Sequence, residues 1–329
     1  MNSLSETHEN LCRICGLNEH HPIYRVLERM YGLNEEFLYF QCVQCKCLQI
    51  EKFPEDIWRY YPKGYLSFAT DPSLLYNKPI ERWVRCARDS YAALGKGFLG
   101  KWMEKIYPAP EDLKALSHIS LTKQSKILDV GCGAGTLLYL LYEAGFSNVL
   151  GVDPYIDRDI NYENGLFISR QEIQEVEGSW DLIMFHHSFE HMKDPLKVLQ
   201  SVSKLLNSGG SCLIRIPLVS SLAWEDYGVH WVQLDAPRHF FLHSLDSLKI
   251  LVRKEKFHIE DIIFDSDELQ FWGSEQYKKD ISLKSEKSYS VNPAQSIFSQ
   301  KQIDQFRKKA VQLNLEARGD QAVFYLKKE

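Results

Sequence analysis

The chain has 329 residues, of which 44% are hydrophobic and 25% are charged, and its formal net charge is −5. Such a composition is typical of a globular protein with one large domain or two smaller ones. The net charge argues against non-specific nucleic-acid binding, which needs a basic face. No apolar run is long enough to span a bilayer, and the polar N-terminus lacks the features of a secretory signal. We therefore expect a cytoplasmic protein with no membrane partner.

Two cysteine pairs with two-residue spacing, separated by 26 residues, lie near the start of the chain: Cys12 with Cys15, and Cys42 with Cys45. In a reducing compartment such pairs indicate a metal site rather than disulfides. The spacing lets both thiolates of a pair reach one tetrahedral Zn²⁺, and four thiolates leave no open coordination position. We expect a structural zinc in a module over residues 1–65. Alternative ligands are His20, His21 and Cys47.

Residues 66–120 follow as a predicted helical linker or lid, because "SLLYNKPIERWVRCARDSYAALGKGFLGKWMEKIY" has apolar positions three and four residues apart. From Lys126 onward strands alternate with helices, which predicts an α/β doubly wound sheet. The predicted strands lie near 126–130, 149–153, 165–168, 181–186 and 211–216, and the last two are "HIEDIIFD" and "QAVFYLKK". The predicted helices lie near 136–144, 171–176, 194–206 and 245–256. An insertion at about 217–244 interrupts this pattern, and a polar piece near 278–298 reads as a mobile loop.

A glycine-rich turn joins the first of these strands to a helix in "KILDVGCGAGTLLYLLYEAGF". Gly131, Gly133 and Gly135 do not have the dinucleotide spacing, and no lysine follows as in a phosphate loop. Asp129, two residues before the first glycine, would repel a pyrophosphate but would suit a ligand with an ammonium group.

The stretch "DVGCGAG" resembles the first motif of the class I S-adenosylmethionine-dependent methyltransferases. The segments "VLGVDP", "WDLIMFHHSFEHMKDP" and "LLNSGGSCLIRIP" resemble later motifs of that family, in the same order. The resemblance implies a Rossmann-like domain over residues 121–329, with seven strands of which the last is antiparallel. It also implies that Asp129 helps to hold the cofactor's amino group and that Asp153 accepts from the ribose hydroxyls. The acidic position often found after the third strand is filled here by "SRQE", so Ser169, Arg170 or the backbone would contact the adenine.

The cofactor-binding residues expected from this resemblance are Asp129, Gly131, Cys132, Gly133, Gly135, Asp153, Pro154, Ser169, His186 and His187.

The four-cysteine segment resembles the amino-terminal zinc module of methyltransferases that act on nucleotide-linked deoxysugars. That resemblance implies that tyrosines of "RYYPKGYLSF" line the substrate pocket. The carbon-methylating enzymes of this type have a further domain after the Rossmann-like unit. Since this chain ends at its last strand, we expect transfer to a hydroxyl, or else to an amine, rather than to carbon.

A sugar hydroxyl is a poor nucleophile, so a general base is expected, and histidine is the usual one. His187 and His191 follow the fourth strand, and His239 lies in "DAPRHFFLHS", which resembles a segment on the substrate side of these enzymes. We expect His239 to be the base. Structural roles for Glu190 and His191 as helix caps, and for Arg238 and His239 as an interface or lid pair, are alternatives. The expected substrate-binding residues are Arg238, Trp224, Asp226, Trp231, Tyr61 and Tyr65.

The sequence therefore predicts an S-adenosylmethionine-dependent O-methyltransferase whose acceptor is a small molecule, a sugar or nucleotide-linked sugar. Methylation of a sugar carbon is one alternative. Another is a zinc module that recruits the domain to RNA or to a protein. Acidic and basic residues are balanced around the cysteines, so no nucleic-acid partner is expected. The oligomeric state is not predicted.

Overall fold

The computed structural model describes residues 6–62 and 71–328. The strands are β1 Thr7–Leu11, β2 Asn18–Leu27, β3 Glu36–Gln41, β4 Leu48–Ile50, β5 Ile127–Val130, β6 Val149–Val152, β7 Ile160–Asn161, β8 Phe167–Ser169, β9 Trp180–His186, β10 Leu206–Pro217, β11 Phe241–Leu242, β12 Phe257–Phe264 and β13 Gln321–Lys328. The helices are α1 Pro79–Leu94, α2 Phe98–Ile106, α3 Glu111–Ala115, α4 Thr136–Glu143, α5 Pro195–Leu205, α6 Leu222–Tyr227, α7 Leu245–Lys254, α8 Leu269–Lys278 and α9 Gln300–Leu315. Short 3₁₀ turns include Ile57–Tyr60, Ile173–Glu175 and Phe189–His191.

A mixed sheet forms the centre of the large domain, in the order β12-β13-β10-β9-β5-β6-β8-β7. The pairs from β10 to β8 are parallel, and β13 is antiparallel to both of its neighbours. The expected Rossmann-like α/β architecture with an antiparallel last strand is thus observed. The described sheet has one strand more than the seven expected, because the two-residue β7 pairs with the edge of β8.

Helices cover the parallel part of the sheet, as the continuous burial of β5 requires. α4 packs Leu138 and Leu141 against one face, and α5 packs Leu199 and Val202 against the other. The helix expected near 171–176 is instead a single 3₁₀ turn. A reciprocal capping box between Glu172 and Glu175 stabilises this turn, and the chain becomes extended at Val176.

A second sheet, in the order β1-β2-β3-β4-β11, carries the paired cysteines. Its last strand, β11, comes from the insertion and pairs antiparallel with β4, with Phe241 opposite Gln49. The main-chain N–H of Ile50 also donates to the carbonyl of Phe240, at 3.0 Å. The insertion therefore joins the cysteine-bearing sheet to the large domain.

The segment near 278–298 differs from the expected mobile loop, because it packs on the cysteine-bearing module. The main-chain N–H of Lys284 donates to the carbonyl of Met30, at 3.0 Å. The Arg29 guanidinium donates to the carbonyl of Tyr277, at 3.0 Å, and to the carboxylate of Asp280, at 2.8 Å. Among the described residues, no helix has the length and apolar character needed to cross a bilayer.

Candidate active site

The glycine turn after β5 allows close approach of another loop. Gly131, Gly133 and Gly135 have φ values of 74°, 57° and 75°, in the left-handed region that favours glycine. A Cβ on Gly131 would lie 2.4 Å from the Cβ of Ser188, in the segment after β9. The Ser188 hydroxyl donates to the carbonyl of Val130, at 2.6 Å, so the two segments are held together.

Asp153, at the end of β6, fastens the turn from the other side. One carboxylate oxygen accepts from the main-chain N–H of Gly133 and the other from that of Tyr155, both at 2.8 Å. Burial raises the pKa of this carboxyl, and the two N–H donors oppose that rise. Each oxygen keeps a second lone pair, so Asp153 can still accept from a ligand hydroxyl.

Two cavities adjoin the turn at Gly131. The first, of about 310 Å³, is lined by Asp112, Asp129, Gly131, Cys132, Thr136, Leu137, His186, His187, His191, Val232, Gln233, Asp235, His239, Leu269 and Leu283. The second, of about 390 Å³, contains Asp153 and Pro154 and is lined partly by aromatic side chains. Tyr61 stacks on Tyr155 there, with ring centroids 5.7 Å apart. Gly131, His187 and His191 line both cavities, which therefore meet beside the glycine turn.

Asp129 is buried beneath the first cavity. Burial raises the pKa of its carboxyl to about 8, helped by the nearby carboxylates of Asp112 and Asp153. An ammonium group in this cavity would favour the ionised carboxylate, so the site suits a cationic ligand group.

His187 lies at the junction of the cavities with a left-handed backbone, at φ 52°. The Arg215 guanidinium donates to its Nε2 at 2.9 Å, which leaves the proton on Nδ1. That Nδ1 lies 3.6 Å from a carboxylate oxygen of Glu190. A left-handed non-glycine residue at a cavity is a common feature of functional sites.

His191 and His239 pack edge to face, with ring centroids 4.7 Å apart. The Nδ1 of His239 lies 2.7 Å from the carbonyl of Gln233, and the Nδ1 of His191 lies 2.8 Å from the carbonyl of Arg238. A carbonyl can only accept, so each Nδ1 carries the proton and each Nε2 keeps a lone pair. Burial and the neighbouring His191 lower the pKa of His239 to about 4.

His186 also lines the first cavity, and neither of its buried ring nitrogens has a hydrogen-bond partner in the described part of the chain. Burial lowers its pKa to about 4. Three of the other expected cofactor residues lie in the turn itself: Cys132 lines the first cavity, Gly133 donates to Asp153, and the Gly135 N–H closes the turn onto the carbonyl of Cys132, at 2.9 Å.

Ser169 does not line either cavity; its carbonyl accepts from the main-chain N–H of Asp153, at 3.1 Å.

Arg238 does not line either cavity, contrary to the expectation that it holds the acceptor. Its guanidinium is fully buried and pairs with Asp235, at 2.6 and 2.9 Å, and with Glu28, at 2.8 Å. It also donates to the carbonyl of Tyr60, at 3.0 Å. These groups take four of its five N–H donors and connect the insertion to the cysteine-bearing module, so the guanidinium is held away from both cavities.

The expected substrate platform of the insertion is also turned away from the cavities. Trp231 is buried and donates through Nε1 to Asp320, at 2.9 Å, and Trp224 packs edge-on against Tyr24. Asp226 lies on the surface, 3.8 Å from the ammonium of Lys309. Tyr61 does line the second cavity, whereas Tyr65 lies outside the described residues.

Acidic side chains complete the site, and one of them, Asp112 in the lining of the first cavity, was not expected from the sequence. Asp235 lines the first cavity, and Glu190 lies buried behind it against three histidines. The "FEH" tripeptide places Glu190 beside His191, but only the fold brings His239 to them.

Away from the cavities, the four expected cysteine sulfurs lie within 4.8 Å of one another. Cys12 and Cys45 are 3.5 Å apart and Cys15 and Cys42 are 3.6 Å apart, as sulfurs around one tetrahedral ion would be. The alternatives do not join them. His21 stacks on Phe40, and its Nδ1 accepts from a main-chain N–H; the Cys47 thiol contacts the carbonyl of Leu48.

Residues 101–261 match a family described as a methyltransferase domain. A tRNA U34 carboxymethyltransferase from Alteromonas mediterranea is 24% identical over 191 residues, which cover 50% of this chain and 56% of the relative. A ubiquinone biosynthesis O-methyltransferase from Colwellia psychrerythraea is 34% identical over 97 residues, or 26% of this chain and 39% of the relative. A solved S-adenosylmethionine-dependent methyltransferase from Thermotoga maritima has a TM-score of 0.42 and 14% identity, covering 76% of this chain and 94% of that one.

The match over residues 101–261 supports the expectation of a methyltransferase domain in this part of the chain. The chain spans about half the length of the curated relatives it matches.

The expected partners are corrected by the same comparisons. Relatives from Alteromonas mediterranea and Psychromonas ingrahamii are named tRNA U34 carboxymethyltransferases. This contradicts both the small-molecule acceptor and the absence of a nucleic-acid partner. The net charge on which the exclusion rested is a sum over the whole chain, and it does not describe a local surface.

Proposed function

We propose that this protein transfers a methyl group from S-adenosylmethionine to an oxygen of its acceptor. The observation that carries the proposal is the meeting of two cavities at Gly131, His187 and His191, one of them holding Asp129 and the other Asp153. A ligand with a cationic amino acid at one end and a ribose at the other matches the two carboxylates in that arrangement.

S-adenosylmethionine, when bound, supplies a methyl group on a positively charged sulfur. In the proposal, Asp153 accepts from the ribose hydroxyls while Gly133 and Tyr155 hold its carboxylate in place. Asp129 holds the amino group, and Gly131 lets the backbone approach the ligand closely. The aromatic pair of Tyr61 and Tyr155 packs against the nucleoside side of the cavity.

The acceptor oxygen would lie in the first cavity, against His191 and His239. Holding an acceptor in line with the transferred group is worth up to about 7–11 kcal/mol, so positioning would supply much of the catalysis. The ubiquinone biosynthesis O-methyltransferase among the relatives supports oxygen as the acceptor atom.

The four cysteines would bind a structural zinc. Their sulfurs are close enough for one tetrahedral ion, and a set of four thiolates has no position open for substrate. Gly16 and Lys46 adopt left-handed conformations directly after the second cysteine of each pair, so each pair lies in a tight turn. The zinc would hold these two turns of the small sheet together.

For the acceptor class we favour RNA. The relatives named for tRNA point to it, and so does an exposed surface on α1 and α2. Trp83, Phe98 and Trp102 are 58%, 91% and 57% exposed there. Residues 78–105 contain seven Lys or Arg against three Asp or Glu, of which Arg88 and Asp89 form a buried pair and the others belong to the surface. Exposed aromatic rings among basic side chains are the usual platform for unpaired bases.

The test is to incubate the full chain with methyl-labelled S-adenosylmethionine and, separately, total RNA, total protein and the macromolecule-free extract of a cell. We expect nuclease-sensitive label in the RNA fraction. Label only in protein or in the macromolecule-free fraction would overturn the RNA acceptor but uphold methyl transfer. No label in any fraction, with no binding of S-adenosylhomocysteine, would overturn the proposed function.

A surface variant separates acceptor binding from cofactor binding. Trp102→Ala should lower RNA labelling several-fold, because base stacking on an aromatic ring is worth about 1–3 kcal/mol. It should leave S-adenosylhomocysteine binding unchanged. Leu315→Ala is the matched control, since Leu315 is 85% exposed on the unrelated helix α9. Equal RNA labelling by both variants would argue against this surface.

A further inference from the structure

The carboxylate of Glu190 is buried without a hydrogen-bond partner. The residue is 0% exposed, and neither of its oxygens has a partner within the described ranges. The ring nitrogens nearest to it are the Nδ1 of His187, at 3.6 Å, and the Nε2 of His239, at 3.9 Å, and the second of these carries a lone pair rather than a proton. Burying a carboxylate without a hydrogen-bond partner costs free energy, and a positively charged partner would offset that cost.

Two histidines beside Glu190 are each held through one ring nitrogen, which leaves the other nitrogen with a lone pair. The Nδ1–H of His191 and of His239 each donates to a main-chain carbonyl, those of Arg238 and Gln233 respectively. The Tyr61 hydroxyl also lies 3.2 Å from the Nδ1 of His191. Metal-binding histidines almost always donate their second ring N–H in this way, which fixes the tautomer and orients the ring.

The three side chains converge. Glu190, His191 and His239 each offer one ligand atom, and these atoms lie within 4.8 Å of one another. The carboxylate of Asp235 adds negative charge beside them, 3.9 Å from the Nε2 of His239, while remaining paired with Arg238. His191 and His239 line the first cavity, so the cluster is open on the acceptor side.

We propose that Glu190, His191 and His239 bind a divalent cation at the floor of the first cavity. Two imidazoles and one carboxylate suit transition-metal dications such as Mn²⁺, Fe²⁺, Co²⁺ or Zn²⁺ better than they suit Mg²⁺. Three protein ligands leave positions open, as in catalytic rather than structural metal sites.

The consequence for catalysis rests on the proposed function. A dication here would coordinate the acceptor oxygen and favour loss of its proton to solvent. His239 could not then be the general base expected from the sequence. Its Nδ1 proton is held by Gln233, and its Nε2 lone pair would be occupied by the metal.

The test uses the full chain with its cysteine site loaded with zinc and with Mn²⁺ as the probe. Free Mn²⁺ is measured by electron paramagnetic resonance during a titration, so no activity is needed. We expect one bound Mn²⁺ per chain. Loss of an outer-shell partner alone typically costs about 10–100-fold in metal affinity, so Glu190→Gln and His239→Gln should each weaken binding by at least about 100-fold.

His230→Gln is the matched control, because His230 lies in the same insertion but does not line the first cavity. It should bind Mn²⁺ like the unaltered protein. Circular dichroism and zinc content confirm that each variant is folded. Glu190→Gln removes a buried charge while keeping the side-chain shape, so it is the variant best able to fold.

Absence of Mn²⁺ binding in the folded protein, or equal binding by Glu190→Gln, would overturn the cation site. Methyl transfer that continues in protein depleted of this cation would overturn the catalytic role of the cation, and would return His239 to the role of base, without bearing on the binding of the cation. Failure to bind S-adenosylhomocysteine, in contrast, would overturn the proposed function and not the cation site, so the two failures are distinguishable.

Discussion

Binding of the cofactor should release a proton from Asp129. Burial and the carboxylates of Asp112 and Asp153 raise the pKa of Asp129 to about 8, so the free protein holds this proton at pH 7. In the proposed complex the carboxylate pairs with an ammonium group and must be ionised. The perturbation is Asp129→Asn, which keeps the size of the side chain and removes the ionisable group.

The magnitude follows from the titration of Asp129. At pH 7 a carboxyl of pKa about 8 is roughly 90% protonated, whereas the amino group of a free amino acid stays protonated over this pH range. The release should be about 0.9 proton per ligand at pH 7 and about 0.5 at pH 8. Affinity should rise about 50-fold between pH 6 and pH 8, because the raised pKa disfavours the binding-competent carboxylate at low pH.

The assay is calorimetric titration with S-adenosylhomocysteine in buffers of different ionisation enthalpy. The slope of the observed enthalpy against buffer enthalpy gives the number of protons released. Asp129→Asn should show no release and no rise in affinity between pH 6 and pH 7. Asp157→Asn, at an exposed position, should behave like the unaltered protein. A slope of zero at pH 7 in the unaltered protein, or the same slope in Asp129→Asn, would refute the assignment.

Three further substitutions test the site and its supports. Gly131→Ala should abolish cofactor binding and cost about 1–3 kcal/mol of unfolding free energy, because its Cβ would lie 2.4 Å from that of Ser188. Adding Ser188→Gly should restore part of the binding and part of the stability. No recovery in the double variant would show that the clash is not the cause. Cys42→Ser should remove bound zinc, measured by elemental analysis, and lower the melting temperature, whereas Cys86→Ser, outside the cluster, should keep the metal. Arg238→Met should cost about 3–5 kcal/mol in urea unfolding, because it removes the counter-charge from the carboxylates of Glu28 and Asp235; a change below 1 kcal/mol would contradict the structural role of the guanidinium.

Local patterns determined the parts of the protein that depend on short stretches of chain. The stretch from Lys126 to Phe146 reads as strand, glycine turn and helix, and the structure has β5, the turn and α4 there. The buried strand, the left-handed positions and the amphipathic helix each follow from neighbouring residues. The two cysteine pairs could also be predicted from the sequence, because each pair lies in a local turn. Only the approach of the two turns to each other is a long-range contact.

Contacts between distant residues decided the rest. Arg238 was expected to bind the acceptor. In the structure its guanidinium donates instead to Glu28, 210 positions away, and to the carbonyl of Tyr60. Likewise β11 joins the cysteine-bearing sheet, and Leu283, in a segment expected to be mobile, lines the first cavity.

The cluster of Glu190, His191 and His239 likewise depends partly on local sequence and partly on long-range contacts. The sequence placed the first two side by side after a strand, and it marked His239 as reactive. Only the fold places the imidazole of His239 beside the buried carboxylate of Glu190. The fold also supplies the main-chain carbonyls that orient the rings of His191 and His239. A residue type and its local spacing establish what chemistry a side chain can do, whereas burial and long-range partners decide which of its atoms remain free to do it.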